Sequence, residues 1–192
     1  MPGLVEEIER ELERACYRAL DEELALVTVG GLRFEAFLYS LGDGEEASRE
    51  EAEYVVGFKH VFASVNYHCR KCFACSAEFG ARIYKTQVFR QMVLDEFKKR
   101  GIRFDLEEVG DGAGDLYMLF DDMDLSVRIS RGEPVREDLE AVAESILLLV
   151  EIYESVEKRF REWEEAFDAF RAEHEPISLF KYEKSELYGW YG

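Results

Sequence analysis

Three of the four cysteines fall in one run, His68-Cys69-Arg70-Lys71-Cys72-Phe73-Ala74-Cys75. Thiolates are soft ligands for zinc or iron, and two-residue gaps let successive sulfurs face one centre. Arg70 and Lys71 favour the thiolate over the thiol. Such tight spacing reads as metal binding or thiol chemistry before it reads as a disulfide framework. A closed tetrahedral site needs a fourth ligand. The choices are His60, nine residues ahead of Cys69, then His68 and Cys16. His68 adjoins Cys69 and is poorly placed for the same ion. Cys16 falls on the apolar stripe of a helix and reads first as a small core residue. The expected metal set is therefore Cys69, Cys72, Cys75 and His60, and the expected cofactor is zinc or an iron–sulfur cluster. A metal-free redox pair, for instance Cys69 with Cys72, and three incidental cysteines are the competing readings.

The spacing resembles the start of bacterial-type ferredoxins. Their run has three cysteines two residues apart, a fourth after three more residues, then proline. Here Phe79 and Gly80 stand in the last two places. The resemblance thus implies a three-cysteine cluster with one iron open to a substrate or outside ligand, and argues against an ordinary four-cysteine electron carrier.

Charge is unevenly placed around this run. The chain of 192 residues has 24 Lys and Arg against 42 Asp and Glu, a net charge of −18. From Cys69 to Arg103, however, nine bases face three acids, so the remainder carries −24. Arg82, Lys85 and Arg90 follow the cysteines most closely and are the expected holders of a small anionic ligand. The alternative is that they pair with acids elsewhere, mostly as surface bridges. Nucleic acid is not an expected partner, because the acidic remainder repels phosphate. Asp115, Asp121, Asp122 and Asp124 have the chemistry to bind a hard cation but read first as a solvated turn. Gly110 to Gly114 lacks the lysine and threonine of a phosphate-binding loop. No serine, histidine and aspartate group stands out as a triad, so no catalytic residue is assigned.

The elements that would carry these residues follow from periodicity. Val5, Ile8, Leu12 and Cys16 predict a helix over 4–22. Two β-type runs flank Gly30-Gly31, the signature of a tight hairpin, with Leu32, Phe34, Ala36 and Leu38 on one face and Arg33 and Glu35 on the other. Ser48 ahead of Glu51, then Tyr54, Phe58, Val61 and Val65, predict a helix from about 49 to 67 with Gly57 as its weak point; the Val and Phe content makes a strand over 54–65 the alternative. A further helix is predicted over 82–100, closed by Lys98, Lys99, Arg100 and Gly101. Ile102 to Leu106 alternate as a strand. Leu116 to Phe120 and Leu125 to Ile129 alternate around an acidic turn as a second hairpin.

From Val135 to Phe170 apolar residues recur at four and three without a break, over about five heptads. A helix over 134–175 is expected, with Trp163 and Phe167 packing on a second chain or on the first helix. His174 closes it as a charge suited to a helix C-terminus. The tail 176–192 is rich in aromatics and is expected to fold back or dock on a partner.

The expected fold is α+β: an antiparallel sheet of about five strands, two plus three, with helices on one face and a long C-terminal helix. The domain plan is an α+β body over 1–133 with a cysteine-rich insert at 68–80, then the helix 134–175 and the tail. The element order resembles PAS- and GAF-like sensor domains in topology alone. Nothing approaches the roughly 18 uncharged apolar residues of a membrane span, and Met1-Pro2-Gly3-Leu4-Val5-Glu6-Glu7 lacks a signal-peptide layout. The expected function is a cytoplasmic metal- or iron–sulfur-binding regulatory or sensor module that homo-oligomerises through its long helix. The alternative is an enzyme that uses a three-cysteine site on an anionic substrate.

Overall fold

A computed structural model describes residues 2–18, 25–40, 53–64, 77–109 and 115–174. The chain divides into two units. The first spans Met1–Val65 and Ile102–Glu151, the second Asn66–Gly101 and Ile152–Gly192.

The first unit is α+β. It holds α1 (Pro2–Arg18), β1 (Ala25–Val29), β2 (Leu32–Ser40), β3 (Tyr54–Ser64), β4 (Phe104–Val109), β5 (Asp115–Phe120), β6 (Ser126–Ser130) and β7 (Glu133–Pro134). The long helix α3, Arg136–His174, begins here and continues into the second unit. All strand pairs are antiparallel, in the order β1-β2-β3-β5-β4, with β6 between β3 and β7.

β1 and β2 form the expected hairpin. Val29 pairs with Leu32, and Gly30 and Gly31 both take positive φ, 58° and 77°. Gly30 has a second reason to be glycine: a Cβ there would stand 3.1 Å from Val150 and 3.5 Å from Leu4, so α1 and α3 both close on this turn. The core combines the inward side chains of the sheet, among them Phe34, Met118 and Val127, with Ile8 and Leu12 of α1 and Leu139, Val142, Ile146 and Leu149 of α3.

Two expectations fail here. Residues 54–64 are a strand, not a helix. β3 lies inside the sheet and is buried on both faces: Val56, Phe58 and His60 on one, Val55 and Val61 on the other. Burial on both faces erases the alternation that would announce a strand. Gly57 is no weak point, because it faces Phe37 across the β2–β3 pair and the phenyl ring occupies the space a Cβ would need.

The second failure is the β5–β6 hairpin. β6 pairs with residues 54–57 of β3 and β5 with residues 60–64, so both run antiparallel to β3 and in the same direction. Strands that share a direction cannot close a hairpin. β5 pairs instead with β4, and β6 with β7 around Arg131-Gly132, both at positive φ. Among the described residues the sheet thus has seven strands, and the element order behind the PAS and GAF resemblance, two helices between the strand groups, is not the order found there. Among the described residues, no helix is long and apolar enough to cross a membrane.

The second unit contains α2 (Ala77–Lys99) and the part of α3 from Ile152 onward. In this unit the heptad seam of α3 packs on α2, where the first helix or a second chain was expected. Tyr84 meets Phe167 at 5.4 Å and Trp163 at 5.9 Å, Phe89 meets Phe160 at 5.2 Å, and Trp163 stacks on Phe167 at 5.0 Å. Each such ring pair contributes about 0.5–1.5 kcal/mol beyond area burial. Phe170, 55% exposed, continues the seam into solvent. Gly101 ends α2 at φ 72°, its amide 3.1 Å from the Lys98 carbonyl.

Candidate metal centre

Cys69, Cys72, Cys75 and His68 lie in the connection 65–76 between β3 and α2, outside the described residues. Cys16 is on the last turns of α1, its side chain likewise outside them. Among the described residues, no group of three or more His, Cys, Asp or Glu could hold a metal ion.

His60 belongs to the sheet and not to a helix that turns back toward the cysteines. It is 2% exposed and packs at 5.3 Å from the Phe34 ring. Its Nδ1 lies 3.1 Å from the Arg33 carbonyl oxygen. A carbonyl only accepts, so Nδ1 carries the proton. Burial pulls the pKa of His60 down to about 4, against which the bond to Arg33 works. The imidazole is neutral at pH 7 and acts as a filler of the sheet core.

The basic residues divide. Arg82 is exposed and Arg90 partly buried on α2. Lys85 donates to Glu164 at 2.9 Å and Asp168 at 2.7 Å, and the hydrogen bond to Asp168, then that to Glu164, raises its pKa. It is an inter-helix tie of the second unit. Glu96 forms the matching tie near the other end of α2, taking Arg159 at 2.8 Å and Arg100 at 3.2 Å. Burial pushes Glu96 up, but the Arg100 hydrogen bond and the charges of Lys99, Arg159 and Arg100 outweigh it, and its pKa is lowered.

No family model matches the chain, and neither a curated protein nor a solved structure does.

The acidic turn after β5 is structural as well. Asp122 accepts from the Arg103 backbone N–H at 3.2 Å and from its guanidinium at 3.0 and 2.6 Å, which secures the approach to β4.

Two features escaped sequence reasoning. Glu35, on the face of β2 opposite Phe34, is 8% exposed, and the Tyr117 hydroxyl donates to its carboxylate. Burial, then Glu35, pushes the Tyr117 pKa up. Alternation marks which face a residue takes, but gives no sign that this second face is also covered. The other feature is His174, whose Nδ1 lies 2.8 Å from the Phe170 carbonyl while its ring stacks on Phe170 at 4.2 Å. A histidine in the last helical turn is the only trace of it in the sequence.

Proposed function

We propose that this chain is a metal- or iron–sulfur-binding regulatory module whose centre is held by Cys69, Cys72 and Cys75. One observation carries the reading: three thiols at two-residue gaps fill the twelve-residue connection that leads from the sheet unit into the helix-pair unit. A centre closed on so short a connection fixes the segment directly ahead of α2, because metal-binding free energy becomes ordering free energy. Occupancy is then read out by the α2–α3 pair. A second copy, if one assembles through α3, has the exposed Phe170 at the end of the seam to use.

The pairing of Lys85 with Glu164 and Asp168 supports this reading over an enzyme acting on an anionic substrate, since that ammonium is already neutralised. The test is the absorption spectrum and metal content of protein purified without air. A brown chromophore near roughly 400 nm identifies a cluster, and colourless protein with one zinc identifies a mononuclear site. Cys72→Ala abolishes either. Wild-type protein with neither zinc nor iron overturns the reading.

A further inference from the structure

Among the described residues the sheet has three outer strands, β1, β4 and β7. An open edge presents a row of N–H and C=O groups that templates another strand, and proteins blunt it with charge, proline or brevity. β4 carries Asp105, Glu107 and Glu108, and β7 is two residues long and ends in Pro134. β1, Ala25-Leu26-Val27-Thr28-Val29, has none of these devices, and it pairs with β2 in one unbroken register, without a bulge.

The hairpin fixes which groups of β1 lie on the open side. Val29 and Leu32 close the two-residue turn at Gly30-Gly31, so they exchange both backbone bonds. Such pairs alternate along an antiparallel ladder. Val29, Val27 and Ala25 therefore turn their N–H and C=O groups toward β2, and Leu26 and Thr28 turn theirs away from it. The same two residues have exposed side chains, Leu26 at 51%, while Val27 and Val29 are buried in the core.

An edge with this layout matches itself. The outward groups belong to the second and fourth of five residues, so they are symmetric about Val27. Two copies of β1 laid antiparallel about a two-fold axis at Val27 set Leu26 of each opposite Thr28 of the other. Both pairs are then of the doubly bonded kind, and every outward N–H and C=O of each strand is used. Val27 meets Val27 as the intervening non-bonded pair, and each exposed Leu26 lies across from the methyl group of a Thr28. Charge points the same way. The chain carries −18, which opposes contact between copies over most of its surface. β1 sets no charged residue against its own copy, whereas paired β4 edges would crowd Asp105, Glu107 and Glu108 against theirs.

We propose that β1 is a dimerisation edge, paired antiparallel about Val27 with β1 of a second copy of this chain, so that two sheets join into one. Two five-residue strands make an interface of the small, transient class, below about 1,200 Å². The dimer is therefore expected to dissociate on dilution. It is separate from any contact through Phe170 and does not depend on a metal.

Sedimentation equilibrium of the full reduced chain over a dilution series reads the association. Wild type is expected to pass from dimer to monomer on dilution. Thr28→Pro removes an outward N–H and no bond to β2, and is expected to stay monomeric at every concentration with unchanged circular dichroism. Val27→Cys gives a readout that needs no weakened variant. Opposed non-bonded residues stand about 4.5 Å apart between Cα atoms, within disulfide range. A mild thiol oxidant is thus expected to link Val27→Cys into a covalent dimer well in excess of wild type, which has four cysteines of its own. Wild type that stays monomeric throughout, or a folded Thr28→Pro that dimerises as wild type does, would overturn the proposal. If Thr28→Pro misfolds, cross-linking of Val27→Cys no greater than that of wild type overturns it instead. So does an extended foreign peptide that binds monomeric wild type and not Thr28→Pro, which assigns the edge to another protein's strand.

Discussion

The two units are held together by different physics. In the sheet unit, strand pairing and fully buried aliphatic and aromatic side chains do nearly all the work; the buried polar groups His60 and Glu35 are exceptions that must each be satisfied. In the helix-pair unit, a ladder of half-buried rings is flanked by ion pairs, Lys85 with Glu164 and Asp168 toward one end and Glu96 with Arg159 toward the other. A sheet core is stiff and intolerant of volume change. A helix pair built on stacked rings and partly exposed charges opens at lower free energy. On the proposed reading, the response to metal belongs to the helix pair, the unit into which the cysteine run leads in sequence.

The contrast breaks most visibly at Phe34. Phe34→Ala is expected to cost about 3–5 kcal/mol, seen as a large drop in the denaturant midpoint. A loss under about 1 kcal/mol would mean the sheet core is not the stiff part.

Acid is the next lever. His60 folds at a pKa of about 4 against 6.5 for the unfolded group, so below pH 6.5 the unfolded state binds more protons. Stability from this group is complete above pH 6.5 and is lost as pH falls toward 4, by about 3 kcal/mol at most. His60→Phe, which keeps a planar ring, is expected to flatten that part of the pH profile. An unchanged slope would assign acid sensitivity to other groups.

Trp163→Ala is expected to cost about 2 kcal/mol, less than Phe34→Ala because the indole is half-buried. Amide exchange should accelerate in α2 and in the second half of α3 and stay unchanged in β2, β3 and β5. Equal acceleration in both units would erase the distinction between them. The smallest effects belong to the cations. Lys85→Met should cost about 0–1 kcal/mol and Arg82→Ala should leave stability unchanged. Salt-dependent loss of phosphate binding when Arg82→Ala and Lys85→Met are combined would instead restore the anion-holding role.

Much of this was legible in the residues. Gly30-Gly31 between β-type runs announced a two-residue turn, and the four-three spacing of α3 announced a helix of its full length. β3 was hidden because both its faces are covered, so Val55, Val56 and Phe58 give no period of two. Periodicity also shows that a stripe is apolar without showing what covers it: the same Trp163 and Phe167 fit a second chain, α1 or α2. The site was legible only in its local half. Three cysteines announce themselves by spacing, but a fourth ligand does not, because it can come from any part of the chain.

Native mass spectrometry of the full chain, purified without air, tests the central claim most directly. The expected species is the chain plus one zinc or one iron–sulfur cluster, reduced to the bare chain in Cys72→Ala. A wild-type spectrum showing only the bare chain would contradict the account.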